Sequence, residues 1–193
     1  MDERLYLDIA ERYGDCASWA VWADVGLTPK SNVGDLSIFD HRKNLRLFDE
    51  LNPNCVVVGL NIARPFDGIF ANFHDGKPKS QDYKLRYAFN NTRFYGAYMT
   101  DIIKYLECTD SNQVMSQLRA NPSIEEENVA IFSQELVDIK ATNPLLIALG
   151  NHVFTILKRN FGRQFRIVAV THYSHYINVD VYRNEIARVS DQL

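Results

Sequence analysis

Asn61, Asn151, His152, His172 and Ser174 share one kind of address: each follows a short apolar run that stops at a polar break. The runs are Val56-Val57-Val58-Gly59-Leu60, Leu145-Leu146-Ile147-Ala148-Leu149-Gly150 and Ile167-Val168-Ala169-Val170. Short, β-branched and continuous, they read as parallel strands buried on both faces. In an open α/β sheet, ligands bind just beyond the carboxyl ends of such strands. The polar residues at three strand ends are therefore the candidate site, and their chemistry is hydrogen bonding by carboxamide, imidazole and hydroxyl groups. Other chemistries lack their signatures. No Gly-x-Gly-x-x-Gly opens the helix after Gly150, no Gly-x-Ser-x-Gly elbow is present, and no histidine pair has a metal-ligand spacing. His74 and His152 read as structural or solvent-facing, and His175 as a surface or phosphate-facing group.

The elements that must carry these residues follow from periodicity and punctuation. Residues 2–13 have a helical period on an acidic background, a short helix is expected near 18–23, and 41–51 reads as a helix before Asn52-Pro53-Asn54 turns the chain into the strand 55–60. Residues 61–82, rich in Gly, Pro, Asp and Asn, form a long connection of the kind that carries function. A helix at 83–89 and a strand at 94–100, ending at Asp101, come next. A short helix at 111–118 precedes one opened by a capping box, Ser123-Ile124-Glu125-Glu126, and running to about 141. Asn143-Pro144 punctuates before the strand 145–149. Residues 151–160 are helical, 165–170 form the fourth strand, and 178–189 close the fold as a helix. Alternating strands and helices predict an α/β class, a three-layer α/β/α sandwich around a short, mostly parallel sheet.

At 193 residues and 46% hydrophobic content, one well-buried core is affordable and two are not, so a single domain over 1–193 is expected, with 1–54 a helical extension packed on it. Three widely spaced cysteines, Cys16, Cys55 and Cys108, fit a reducing compartment. With no basic leader and no membrane-length apolar run, a soluble cytoplasmic protein without membrane contact is expected. The net charge of −3 argues against a surface covered in nucleic-acid-binding charge. From Lys140 onward, however, seven Lys or Arg face three acids, leaving −7 for residues 1–139, so any phosphate-facing surface belongs to the last third.

In this order the motifs resemble the uracil-DNA glycosylase superfamily over about residues 55–178. Gly59-Leu60-Asn61-Ile62-Ala63 resembles the Gly-x-Asn-Pro-Gly motif of its mismatch-specific branch, with Ile62 in the place of Pro. Phe70-Ala71-Asn72-Phe73-His74 falls where the family carries a ring that stacks on an extruded base. Ala97 to Lys104 is similar to the strand that ends in a base-reading Asn, with Asp101 in that place. Asn143-Pro144 through Gly150 looks like the family's Pro-initiated strand, and Val170-Thr171-His172-Tyr173-Ser174 resembles its His-Pro-Ser motif with Tyr173 replacing Pro. The resemblance implies a uracil-DNA glycosylase-like fold and a nucleobase-recognising, DNA-processing protein hydrolysing an N-glycosidic bond. It implies Asn61 and His172 as catalytic residues, Phe70 or Phe73 as the stacking ring, Asp101 at the base edge, and Ser174 and Arg64 at phosphate. DNA or a nucleoside-like ligand is the implied partner, with neither cofactor nor metal.

Each matched position has a physical job available. N-glycosidic cleavage puts positive charge on the sugar and negative charge on the departing base, so a donor such as His172 aimed at the base carbonyl is useful. A carboxamide such as Asn61 holds a water but is no strong base. Stacking in single-strand binders contributes roughly 1–3 kcal/mol per base. An ionised Asp101 only accepts hydrogen bonds, so it suits an exocyclic amino group better than a uracil carbonyl. Two alternatives stand beside this expectation: a non-catalytic binding protein that keeps the pocket, and a small-molecule enzyme acting on a nucleoside or nucleotide.

Overall fold

The computed structural model describes residues 1–192. Helix α1 (Glu3–Tyr13) leads into strand β1 (Ala17–Trp19), a 3-10 turn at Leu36–Phe39 and the one-turn helix α2 (Leu47–Glu50). Then follow β2 (Asn52–Asn61), α3 (Tyr83–Phe89), β3 (Ala97–Ile103), α4 (Ser111–Ala120), α5 (Pro122–Asp138), β4 (Leu145–Leu149), α6 (Asn151–Phe161), β5 (Ile167–Val170) and α7 (Val179–Asp191). The strands form one five-stranded sheet in the order β1-β3-β2-β4-β5, parallel except for β1. This is the expected three-layer α/β/α sandwich.

Strand alternation divides the core. Val56 and Val58 point to one face with Tyr98, Leu146 and Ala148, where α4, α5 and α6 supply Val114, Leu118, Phe132, Leu136, Ile156 and Phe161. Cys55 and Val57 point to the other face with Met99, Ile147 and Leu149, where α3 and α7 supply Leu85, Phe89, Tyr182 and Ile186. Both faces of β2 are thus enclosed, which is why its sequence is a continuous apolar run rather than an alternating one. Each such side chain stabilises by roughly 1.5–3 kcal/mol.

The N-terminal region departs from expectation. Residues 1–54 are more than a helical extension: β1 joins the sheet, pairing Ala17 with Thr100 and Trp19 with Tyr98, while Tyr6, Ile9 and Leu47 enter the main core. The helix expected at 18–23 is absent because Trp19 packs on Tyr98 with ring centroids 4.9 Å apart, a contact that pairing with β3 provides. The helix expected over 41–51 shrinks to Leu47–Glu50. Asp40 accepts from the Arg42 N–H and Asn44 donates to the Ile38 carbonyl, local bonds that hold the preceding residues in turns. Helix α5 starts at Pro122 rather than through a capping box, and Ser123 Oγ donates to Asn121 Oδ1 instead. It ends at Asp138, before the expected 141, where Lys140 adopts φ 58° and the Ala141 N–H turns back to the Leu136 carbonyl.

Candidate functional site

Gly59, near the end of β2, lies opposite Asp101 of β3 in the parallel register. A Cβ on Gly59 would collide with Asp101 Oδ1 and stand 3.3 Å from Cζ of Phe73, so the glycine is required by its neighbours rather than by a turn. Asp101 is 3% exposed. Its Oδ2 accepts a 2.8 Å bond from Asn72 Nδ2, which also donates to the Cys16 carbonyl at 3.0 Å. Burial pushes the Asp101 carboxyl up to about 6, against the opposing pull of the Asn72 donor and the Lys104 charge.

Asn61 closes β2 one residue after Leu60. Its Nδ2 donates to the carbonyls of Leu106 and Cys108, both at 2.8 Å, which ties the loop after β3 to the end of β2. Both amide hydrogens are thereby used, and the amide orientation that satisfies them leaves Oδ1 as an acceptor.

His172 follows β5, beside Gly150 at the end of β4. Gly150 has φ 94°, and a Cβ there would lie 3.6 Å from His172 Cβ, so the left-handed backbone is what favours glycine at this corner. Nδ1 of His172 accepts from the Ser174 N–H at 3.2 Å and lies 2.8 Å from Ser174 Oγ. A ring nitrogen that accepts a backbone N–H carries no proton, so the neutral imidazole has its hydrogen on Nε2. Burial, helped by the nearby His175, lowers the His172 pKa to about 4 and keeps the ring neutral over the physiological range. The imidazole stacks on Tyr173 with centroids 4.5 Å apart. Tyr173 in turn meets Phe73 edge-on at 6.5 Å, and its hydroxyl is held protonated by burial and by the charges of Asp82 and Asp101.

A continuous path of side chains therefore runs along the carboxyl edge of the sheet, from Asp101 past Gly59 and Phe73 to Tyr173 and His172. Asn61 belongs to the same edge but is turned toward the 106–108 carbonyls. The expected site residues divide accordingly. Phe70 is corrected: it is fully buried between Tyr6 and Phe39, at centroid distances of 5.5 and 5.3 Å, and has no free ring face for a base. Phe73 is also buried, but it borders Asp101 and Tyr173 and so lies in the wall of the site. In place of a phosphate contact, Ser174 directs both its donors at His172 Nδ1. Arg64 is exposed on the loop after β2 and makes no ion pair among the described residues.

Sequence reasoning passed over Asn72 and Tyr173 as participants. Asn72 was signalled as a polar group between Phe70 and Phe73, and Tyr173 as an aromatic ring in a polar stretch, in the place where the resemblance has a proline. It also passed over the buried pair Lys104–Glu135, 2.7 Å apart, behind β3. His74 is structural, with Nε2 2.8 Å from the Val21 carbonyl and its ring stacked on Trp22. Among the described residues no group of three His, Cys, Asp or Glu side chains could hold a metal ion, and no helix is long and apolar enough to cross a membrane. No family model, no curated protein and no solved structure matches this chain.

Proposed function

We propose that this protein recognises a nucleobase at the carboxyl edge of its sheet and hydrolyses the N-glycosidic bond that holds it, acting in DNA processing. The observation that carries the reading is the tautomer of His172: a neutral ring, braced through Nδ1 by Ser174, with Nε2–H as a preset donor. Such a donor stabilises the negative charge that develops on a departing base without needing an acidic medium. Asn61 supports the second requirement, since its Oδ1 is the acceptor left to hold a water. In the reaction the bond between C1′ and the base nitrogen breaks with its electron pair on the base. The water oxygen bonds to C1′, and a water proton ends on the released base.

A second reading, binding without cleavage, is favoured by one observation: Asp101 is enclosed and already bonded to Asn72. Reading a base edge would have to break or share that bond. Single-stranded and duplex oligonucleotides carrying a panel of modified bases separate the readings. Release of free base, slowed about 100-fold or more by His172→Ala, is the expected outcome. Saturable binding without release selects the second reading, and neither binding nor release defeats both.

A further inference from the structure

Away from the β2–β3 carboxyl edge, a cavity of about 320 Å³ opens between α4, α5 and α6. Met115 and Leu118 of α4 line it with apolar surface; Arg119, His152, Thr155 and Arg159 line it with polar groups, and Glu125 of α5 contributes the one acid. His152, Thr155 and Arg159 are spaced so that they fall on one face of α6. The size lies at the small end of the roughly 300–1,000 Å³ usual for ligand pockets.

The charges in this cavity are unequally committed. Glu125 accepts from Arg159 through both carboxylate oxygens and from Asn160 Nδ2 at 3.0 Å. Burial alone would raise the Glu125 carboxyl, but the bonds to Arg159 and Asn160 outweigh it and hold the group below its ordinary value. Glu125 therefore neutralises Arg159 and fixes its guanidinium plane, so little side-chain freedom remains to be lost there on binding. Arg119, on the last turn of α4, makes no ion pair or side-chain hydrogen bond among the described residues. With Arg159 and Glu125 cancelling, the cavity holds one uncompensated positive charge beside an apolar wall and a hydroxyl.

We propose that this cavity binds a small organic monoanion, a carboxylate on a compact apolar body, with Arg119 pairing the carboxylate and Met115 and Leu118 covering the body. The site is independent of the chemistry at His172. Benzoate, benzyl alcohol and phenyl phosphate, titrated into the full chain while amide resonances of α4 and α6 are followed, provide the test. Benzoate is expected to give saturable shifts at Met115, Leu118 and His152, and benzyl alcohol to bind about tenfold more weakly or worse, because it lacks the charge-assisted bond. Arg119→Ala, an exposed position, should weaken benzoate about tenfold, while Lys158→Ala, on α6 but outside the cavity, should leave it unchanged. Equal binding of benzyl alcohol, indifference to Arg119→Ala, shifts confined to other elements, no saturable shift, or clearly tighter binding of phenyl phosphate would each overturn the assignment.

Discussion

Two buried carboxylates flank β3, on opposite faces of the sheet, and they are treated differently. Glu135 reaches β3 from α5 and is fully enclosed, yet Tyr98 Oη at 2.6 Å and Thr100 Oγ1 at 2.9 Å donate to its Oε1 while Lys104 Nζ stands 2.7 Å from Oε2. Lys104 is completed by bonds to Thr100 Oγ1 and the Asp101 carbonyl, each 2.8 Å. Asp101, the very next residue after Thr100, has one side-chain donor, Asn72, and no ion pair among the described residues. Hydrogen-bonded twice at Oε1 and ion-paired at Oε2, the first carboxylate is a fastening between helix and sheet. Left under-compensated inside β3, two residues before its end, the second has its carboxyl raised by burial to about 6, so its charge is the one that changes near neutrality.

The contrast is broken most directly by Glu135→Ala, which strands the Lys104 charge in the core. It should cost about 3–5 kcal/mol in urea unfolding, with Lys104→Met/Glu135→Leu recovering most of the loss; a single substitution costing under about 1 kcal/mol would remove the distinction. Next in size is the pH response. Because the folded state holds Asp101 at about 6 against an ordinary 3.8, its contribution is present below pH 3.8 and is lost as pH rises through 6. Wild type should therefore lose roughly 2–3 kcal/mol relative to Asp101→Asn between about pH 4 and pH 7. Parallel pH-stability curves for the two proteins would show the carboxyl to be unperturbed.

Gly59→Ala sharpens the same point by crowding Asp101, at a cost of about 1–3 kcal/mol. Adding Asp101→Ala should relieve part of that cost, and additive effects in the double mutant would mean the two residues are not in contact. The smallest effect concerns His172, whose lowered pKa has the opposite sign: its contribution is present above pH 6.5 and lost as pH falls through about 4. Ser174→Ala removes one of two donors to Nδ1 and should move the His172 titration, followed by NMR, upward toward 6.5. An unmoved titration would show that Ser174 does not brace the ring.

Much of the architecture was legible because burial on two faces leaves a plain mark: runs such as Val56–Val58 and Leu145–Leu149 have few other uses in a short chain. Helices α1, α3, α4, α6 and α7 were similarly marked by period and punctuation. Strand β1 was not, since three residues carry no period and Trp19 declares itself only when Tyr98 is beside it. The candidate site was half legible. Strand ends located Asn61 and His172, while the strand expected to stop at Asp101 runs on to Ile103 and keeps Asp101 inside β3; the sense of each side chain depends on partners remote in sequence. Asn61 turns to carbonyls 45 and 47 residues on, and Asp101 takes its donor from 29 residues before. Phe70 and Phe73 look interchangeable in the chain; only packing against Tyr6 and Phe39 on one side, and Tyr173 on the other, tells them apart.

The sheet ends, at its two lateral borders, in strands of three and four residues, β1 and β5. A neighbouring molecule seeking to extend the ladder finds too few free amides and carbonyls in line at either border to hold it. The long, aggregation-prone valine run of β2 lies in the middle, paired on both sides, so side-by-side polymerisation would first require β1 or β5 to peel away.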